Sequence, residues 1–140
     1  DEARLFVVAV DQREASIRAV EHVHREHPNV RIIARAFDRL HYYELKDAGA
    51  DVVIRELFEG SLSAAKAALI ELGVSPAIAG RAADVFRTHD EETLKQLNEL
   101  WEKGADVANN PTYIELAKAR TQMLNSALQL DEDARKEETA

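Results

Sequence analysis

Three charged residues stand where apolar runs end. Asp11 closes the run Leu5-Phe6-Val7-Val8-Ala9-Val10. Arg35 sits near the end of Val30-Arg31-Ile32-Ile33-Ala34-Arg35-Ala36, and Arg55 follows Asp51-Val52-Val53-Ile54. If those runs are parallel strands, the three side chains gather at the carboxyl edge of the sheet, where open α/β sheets bind ligands. Guanidinium forks grip carboxylate or phosphate in bidentate fashion, and a carboxylate beside them suits an amine or hydroxyl group. The same residues can equally form structural ion pairs, with Arg35 and Arg55 held by Asp11, Asp38 or Glu56. No catalytic constellation accompanies them: no Ser-His-Asp arrangement assembles, and neither G-x-G-x-x-G nor a P-loop occurs. His22, His24 and His27 supply too few ligands for a metal at that spacing and read as solvent-exposed. His41-Tyr42-Tyr43 reads as partial packing against a neighbour. Glu91-Glu92 and Glu137-Glu138 read as solvated charge.

The elements that must position these residues follow from periodicity. The run from Leu5 to Val10 is continuously apolar, which predicts a strand buried on both faces of a parallel sheet. Helical sequence follows from Arg13 to Glu26, with Ala15, Ile17, Ala19, Val20 and Val23 on its apolar side, and His27-Pro28-Asn29 breaks it. A second strand spans Val30 to Ala36. Asp38 serves as N-cap of a helix reaching Ala48, Gly49 closes it, and a third strand covers Asp51 to Ile54. This alternation argues an α/β fold with a small parallel sheet. Leu57 to Leu72 then reads as a helix ended by Gly73. Ser75-Pro76 opens another that runs through Phe86 to Trp101 with a stripe of Leu94, Leu97 and Trp101. A linker over 104–109 leads to a last helix from Asn110-Pro111, with Ile114, Ala117, Thr121, Leu124 and Leu128 along one side. The division expected is 1–56 as an α/β lobe, 57–130 as a helical arm, and 131–140 as a disordered charged tail. The arm's stripes fold back onto the lobe or cross to a second copy; large exposed apolar surface favours a homodimer. Both edge strands are apolar and open to pairing, so a strand partner is expected from outside the chain.

Composition narrows the classes further. The 140 residues suit one ordinary domain, at 46% hydrophobic and 31% charged. The net charge of −8 and the lack of a basic patch argue against nucleic acid. With no cysteine there is no disulfide, thiol catalysis or cysteine-based zinc site, which fits a reducing cytosol. Asp1 and Glu2 do not read as the start of a secretory signal.

The segments Val7-Val8-Ala9-Val10-Asp11, His27-Pro28, Ile32-Ile33-Ala34-Arg35-Ala36-Phe37-Asp38 and His41-Tyr42 together resemble the second half of a potassium-transport nucleotide-binding domain of the RCK/KTN, TrkA-N-like type. Ile54-Arg55-Glu56-Leu57-Phe58-Glu59-Gly60, Leu72-Gly73-Val74 and Ala83-Asp84-Val85-Phe86-Arg87 look like the glutathione-gated efflux branch, the Kef systems. The resemblance runs from about Leu5 to Asp90. It implies a partial Rossmann-type sheet followed by a dimerising helical arm. It also implies a non-enzymatic regulatory domain of a potassium/proton antiporter, on the cytoplasmic face of the bacterial inner membrane. By that resemblance glutathione holds the transporter closed and glutathione S-conjugates open it. A nucleotide, usually AMP, is a structural ligand, and a flavoprotein ancillary subunit assists some members. Arg55 matches a glutathione-binding arginine, and Asp11 and Arg35 lie at the nucleotide edge. Asp90 falls where well-known members carry asparagine: beside a glutathione carboxylate it repels, beside the α-amino group it attracts. The family's glycine-rich loop, a further glutathione-binding arginine and an adduct-sensing aromatic residue are expected upstream of Asp1, so the chain alone is expected to bind nucleotide weakly. The competing expectation is a non-catalytic assembly module that has lost its ligand.

Overall fold

The structure, a computed structural model, describes residues 3–101, 106 and 109–139. The chain divides into two compact units, Asp1–Ser61 and Leu62–Ala140. The first carries β1 (Leu5–Val8), α1 (Arg13–Glu26), β2 (Arg31–Ala36), α2 (Arg39–Asp47) and β3 (Val52–Arg55). The sheet order is β1-β2-β3 and both pairings are parallel, with Val8 opposite Ala34 and Arg35 opposite Ile54. Both crossovers step the same way across the sheet, so right-handed connections lay α1 and α2 on one face. That face holds the core: Val8, Ile32, Ala34 and Ala36 pack against Val20, Leu45, Ala48 and Ala50. Each large aliphatic buried there contributes roughly 1.5–3 kcal/mol.

The same topology corrects one expectation. Leu5, Val7, Val52 and Ile54 lie on the opposite face and are exposed, so the first strand is not buried on both sides. Only Val8 of β1 is buried, and the strand ends there rather than at Val10, because β2 pairs with it only from Arg31 to Ala34.

Local signals set the helix boundaries. The Asp38 carboxylate accepts from the His41 N–H at 2.7 Å, the expected cap of α2. Gly49 ends that helix at φ +106°, a conformation costly for residues with a Cβ.

The second unit is helical. α3 (Glu56–Glu71) starts directly after β3 and ends at Gly73. Ser75 caps α4 (Pro76–Leu100), accepting from Ile78 N–H at 3.3 Å. α5 spans Pro111–Thr139. It therefore continues through the stretch from Asp131 where a disordered tail is expected. Glu, Ala, Arg and Lys dominate that stretch, none of its residues is Gly or Pro, and such composition favours helix. The linker expected over 104–109 lies outside the described residues except for Asp106 and Asn109. α4 packs on α5, and Leu94 and Leu97 are buried within this unit. Those two leucines are thus already covered and are not free to meet a second copy.

Candidate functional site

The carboxyl edge of the sheet collects charge around Arg35. Its Nη2 donates to Asp11 Oδ1 at 2.6 Å, and its Nε lies 3.5 Å from Glu56 Oε2. Asp11 follows β1, Arg35 is the penultimate residue of β2 and Glu56 opens α3 directly after β3, so the ends of all three strands meet at one guanidinium. The Asp11 side chain is 93% exposed, and exposed pairs contribute at most about 1 kcal/mol. A ligand oxygen could replace that carboxylate at little cost. The Arg35 Nε is buried and faces Glu56 Oε2 without forming a close hydrogen bond, so its bonding capacity is only partly used.

Arg55 does not join this cluster face to face. Arg35 is opposite Ile54 in the register, so Arg55, one residue on, belongs to the other face of the sheet. Its guanidinium instead lies 4.0 Å from the centroid of the Phe58 ring, a cation–π contact that sets the plane of the fork. Asp90 is half-buried on α4 in the second unit, whereas Arg55 lies in the first.

Beside the edge, on the covered face, is a polar network that the periodicity does not reveal. Arg13 in the first turn of α1 donates to Glu44 at 2.7 Å and to Asp38 at 3.1 Å, tying α1 to both ends of α2. Beneath it, His41 and Ser16 are fully buried. Ser16 Oγ donates to the Arg13 carbonyl at 2.7 Å and lies 2.8 Å from His41 Nε2. His41 Nδ1 accepts from the Phe37 N–H at 3.2 Å, and the two rings stack at 5.1 Å. Burial first, and then the Arg13 charge, hold the His41 pKa below the ordinary histidine value; Glu44, Asp38 and Glu14 oppose them. The partial packing expected for this histidine is thus complete burial. The available sequence signal was its place three residues after the cap Asp38. In the second unit the buried Arg120 donates to Glu92 at 2.7 Å and to Thr93 Oγ1 at 3.2 Å. Glu92 is therefore paired rather than simply solvated, and Arg120 holds its carboxyl below the usual range.

Among the described residues no group of His, Asp and Glu is placed to hold a metal ion, and no helix is long and apolar enough to cross a membrane. An open cleft of about 590 Å³ lies at the other end of the sheet, between Phe6, Val23, Glu26, His27, Pro28 and Val30, away from the charged edge.

Residues 60–140 match the family model described as the potassium efflux system KefB C-terminal domain, and residues 1–56 match the TrkA-N domain. The chain belongs to the KefB C-terminal domain family. The glutathione-regulated potassium-efflux system protein KefC of Cronobacter sakazakii is 38% identical over 97 residues, 69% of this chain and 16% of that protein. KefC of Escherichia coli is 36% identical over 95 residues, 68% of this chain and 15% of that protein. The chain thus spans about one sixth of the length of these relatives. A solved structure, the Kef C-terminal domain of Shewanella denitrificans in its AMP-bound form, superposes with a TM-score of 0.69 at 37% identity, covering 72% of this chain and 64% of that one. Kef relatives and TrkA-N architecture agree with the parallel α/β lobe and helical arm. A nucleotide fits the edge only in part. Arg35 offers a guanidinium and Asp11 an exposed carboxylate, yet none of the chain's five glycines lies in the β1–α1 turn.

Proposed function

We propose that this chain is part of the cytosolic regulatory domain of a glutathione-gated potassium/proton antiporter, facing the cytoplasm at the bacterial inner membrane. The observation that carries the reading is the family match, joined to KefC relatives named as glutathione-regulated potassium-efflux proteins. Glutathione and its S-conjugates bind overlapping sites with different preference for two domain arrangements, since only differential affinity can gate an attached antiporter. Arg55 grips a glutathione carboxylate, its fork oriented by Phe58. Asp90 is the second glutathione residue of this reading: beside a glutathione carboxylate it repels, beside the α-amino group it attracts.

At the nucleotide edge, AMP or a related adenine nucleotide is the structural ligand. Arg35 turns its Nη2 from Asp11 toward a phosphate oxygen, and the released Asp11 carboxylate accepts from ribose hydroxyls. The domain acts as a homodimer beneath the membrane antiporter, with a flavoprotein ancillary subunit as a further partner. It performs no catalysis of its own.

Calorimetry with glutathione on the whole regulatory region, upstream half included, tests this. Binding should fall at least about tenfold in Arg55→Ala, the loss expected for one charge-assisted bidentate contact. Unchanged affinity removes Arg55 from the site. No glutathione binding by the unaltered protein refutes the sensing role and leaves an assembly module.

A further inference from the structure

The buried Ser16–His41 pair sits between the two segments that shape the carboxyl edge. Ser16 is in the first turns of α1. His41 is on α2 and reaches back to Phe37, the first residue after β2. The hydrogen bonds define the state of the ring. Ser16 spends its proton on the Arg13 carbonyl, so its oxygen accepts from His41 Nε2–H. His41 Nδ1 faces the Phe37 N–H and must carry a lone pair. Only the neutral Nε2–H tautomer satisfies both contacts. Protonating Nδ1 would set two N–H groups against each other across 3.2 Å in a fully buried place.

We propose that His41 is a proton-sensitive latch on the carboxyl edge of the sheet. Neutral, it holds the Phe37–Asp38 turn against α1; protonated, it releases that turn. The release reaches Arg35, whose guanidinium lies 5.8 Å from the centroid of the same Phe37 ring. The groups facing the latch are Arg13 and Glu14 on α1, and Asp38 and Glu44 at the cap and body of α2. Burial and Arg13 oppose the imidazolium and the three carboxylates favour it, with opposition prevailing. Because the closed state holds the ring's pKa below the ordinary histidine value, the latch is fully effective at pH above that ordinary value. It weakens as pH falls toward the closed-state value. Within that window the released population rises about tenfold per pH unit. The consequence for ligands rests on the proposed reading of this edge as a nucleotide site; the latch does not.

Nitrogen-15 NMR of the full 140-residue chain tests it. At neutral pH the His41 ring should show the neutral Nε2–H signature. On acidification the Phe37 and Ser16 amides should shift together, with a midpoint below the ordinary histidine value. An Nδ1–H tautomer overturns the proposal, as does ordinary titration of His41 with the Phe37 amide unmoved. In His41→Gln the acid response of the Phe37 amide should vanish, and its persistence overturns the proposal; should that variant fail to fold, the unaltered chain decides. AMP titrations of the whole regulatory region, upstream half included, on either side of the midpoint separate the two readings. Opening of the turn without AMP binding at either pH supports the latch and refutes the nucleotide site. AMP that binds equally tightly at both pH values overturns the coupling of latch to ligand.

Discussion

Arg120→Ala should loosen α5 from α4. The side chain is 8% exposed, donates to Glu92 at 2.7 Å and to Thr93 Oγ1 at 3.2 Å, and Thr93 in turn donates to the His89 carbonyl at 2.7 Å. Hydrogen bonds to charged groups contribute about 1.5–3 kcal/mol. The Glu92 side chain is 55% exposed and regains water when its partner leaves, so the ion pair itself contributes little. Truncation to alanine also removes buried methylenes of the arginine stem, worth about 0.8 kcal/mol each. The sum is a loss of about 3–5 kcal/mol. Arg120→Met restores the stem without the donors and should recover roughly half of it. Glu92→Gln should cost far less than Arg120→Ala. Hydrogen exchange is the assay, because it reports α5 amides apart from those of the sheet. A loss of about 3 kcal/mol accelerates exchange of α5 roughly a hundredfold. Unchanged α5 protection in Arg120→Ala refutes the argument outright. Equal effects of Arg120→Ala and Glu92→Gln would show that the pair alone matters and that the buried stem contributes nothing.

Two further substitutions probe the first unit. Asp38→Ala removes both the cap of α2 and an Arg13 partner, and should lower stability by about 1–2 kcal/mol in urea unfolding. Asp38→Asn keeps a capping oxygen and should lose less; equal losses would deny the cap its role. Gly49→Ala should destabilise by more than about 2 kcal/mol, since φ is +106° and an added Cβ would lie 2.3 Å from His24 Cγ. The double change Gly49→Ala with His24→Ala should recover the steric part only. Full recovery would mean that the backbone conformation costs nothing.

The candidate edge was legible to the extent that it depends on order along the chain. Asp11 and Arg35 stand at strand ends in the sequence and meet at 2.6 Å in the structure. Arg55 stands at a strand end as well, yet register and pleat send it to the other face. The sequence carried no sign of that, because facing depends on which residue of the neighbouring strand lies opposite. Arg120 was hidden for a related reason. It interrupts an apolar stripe as any exposed arginine might, and only the packing of α4 on α5 makes it a buried donor.

By itself the sequence determined the alternation of strands and helices, the Asp38 and Ser75 caps and the glycine stops. Each is a short-range preference of backbone and side chain, complete within a few residues. It also determined the family, through motifs spread from Leu5 to Asp90. The tertiary structure alone decided which face of the sheet is covered, that one guanidinium gathers carboxylates following two different strands, and that His41 is buried beneath Arg13 with its ring between Ser16 and the Phe37 N–H. These are matters of approach between segments about 25 residues apart, where burial and the direction of each donor, rather than residue type, determine the outcome.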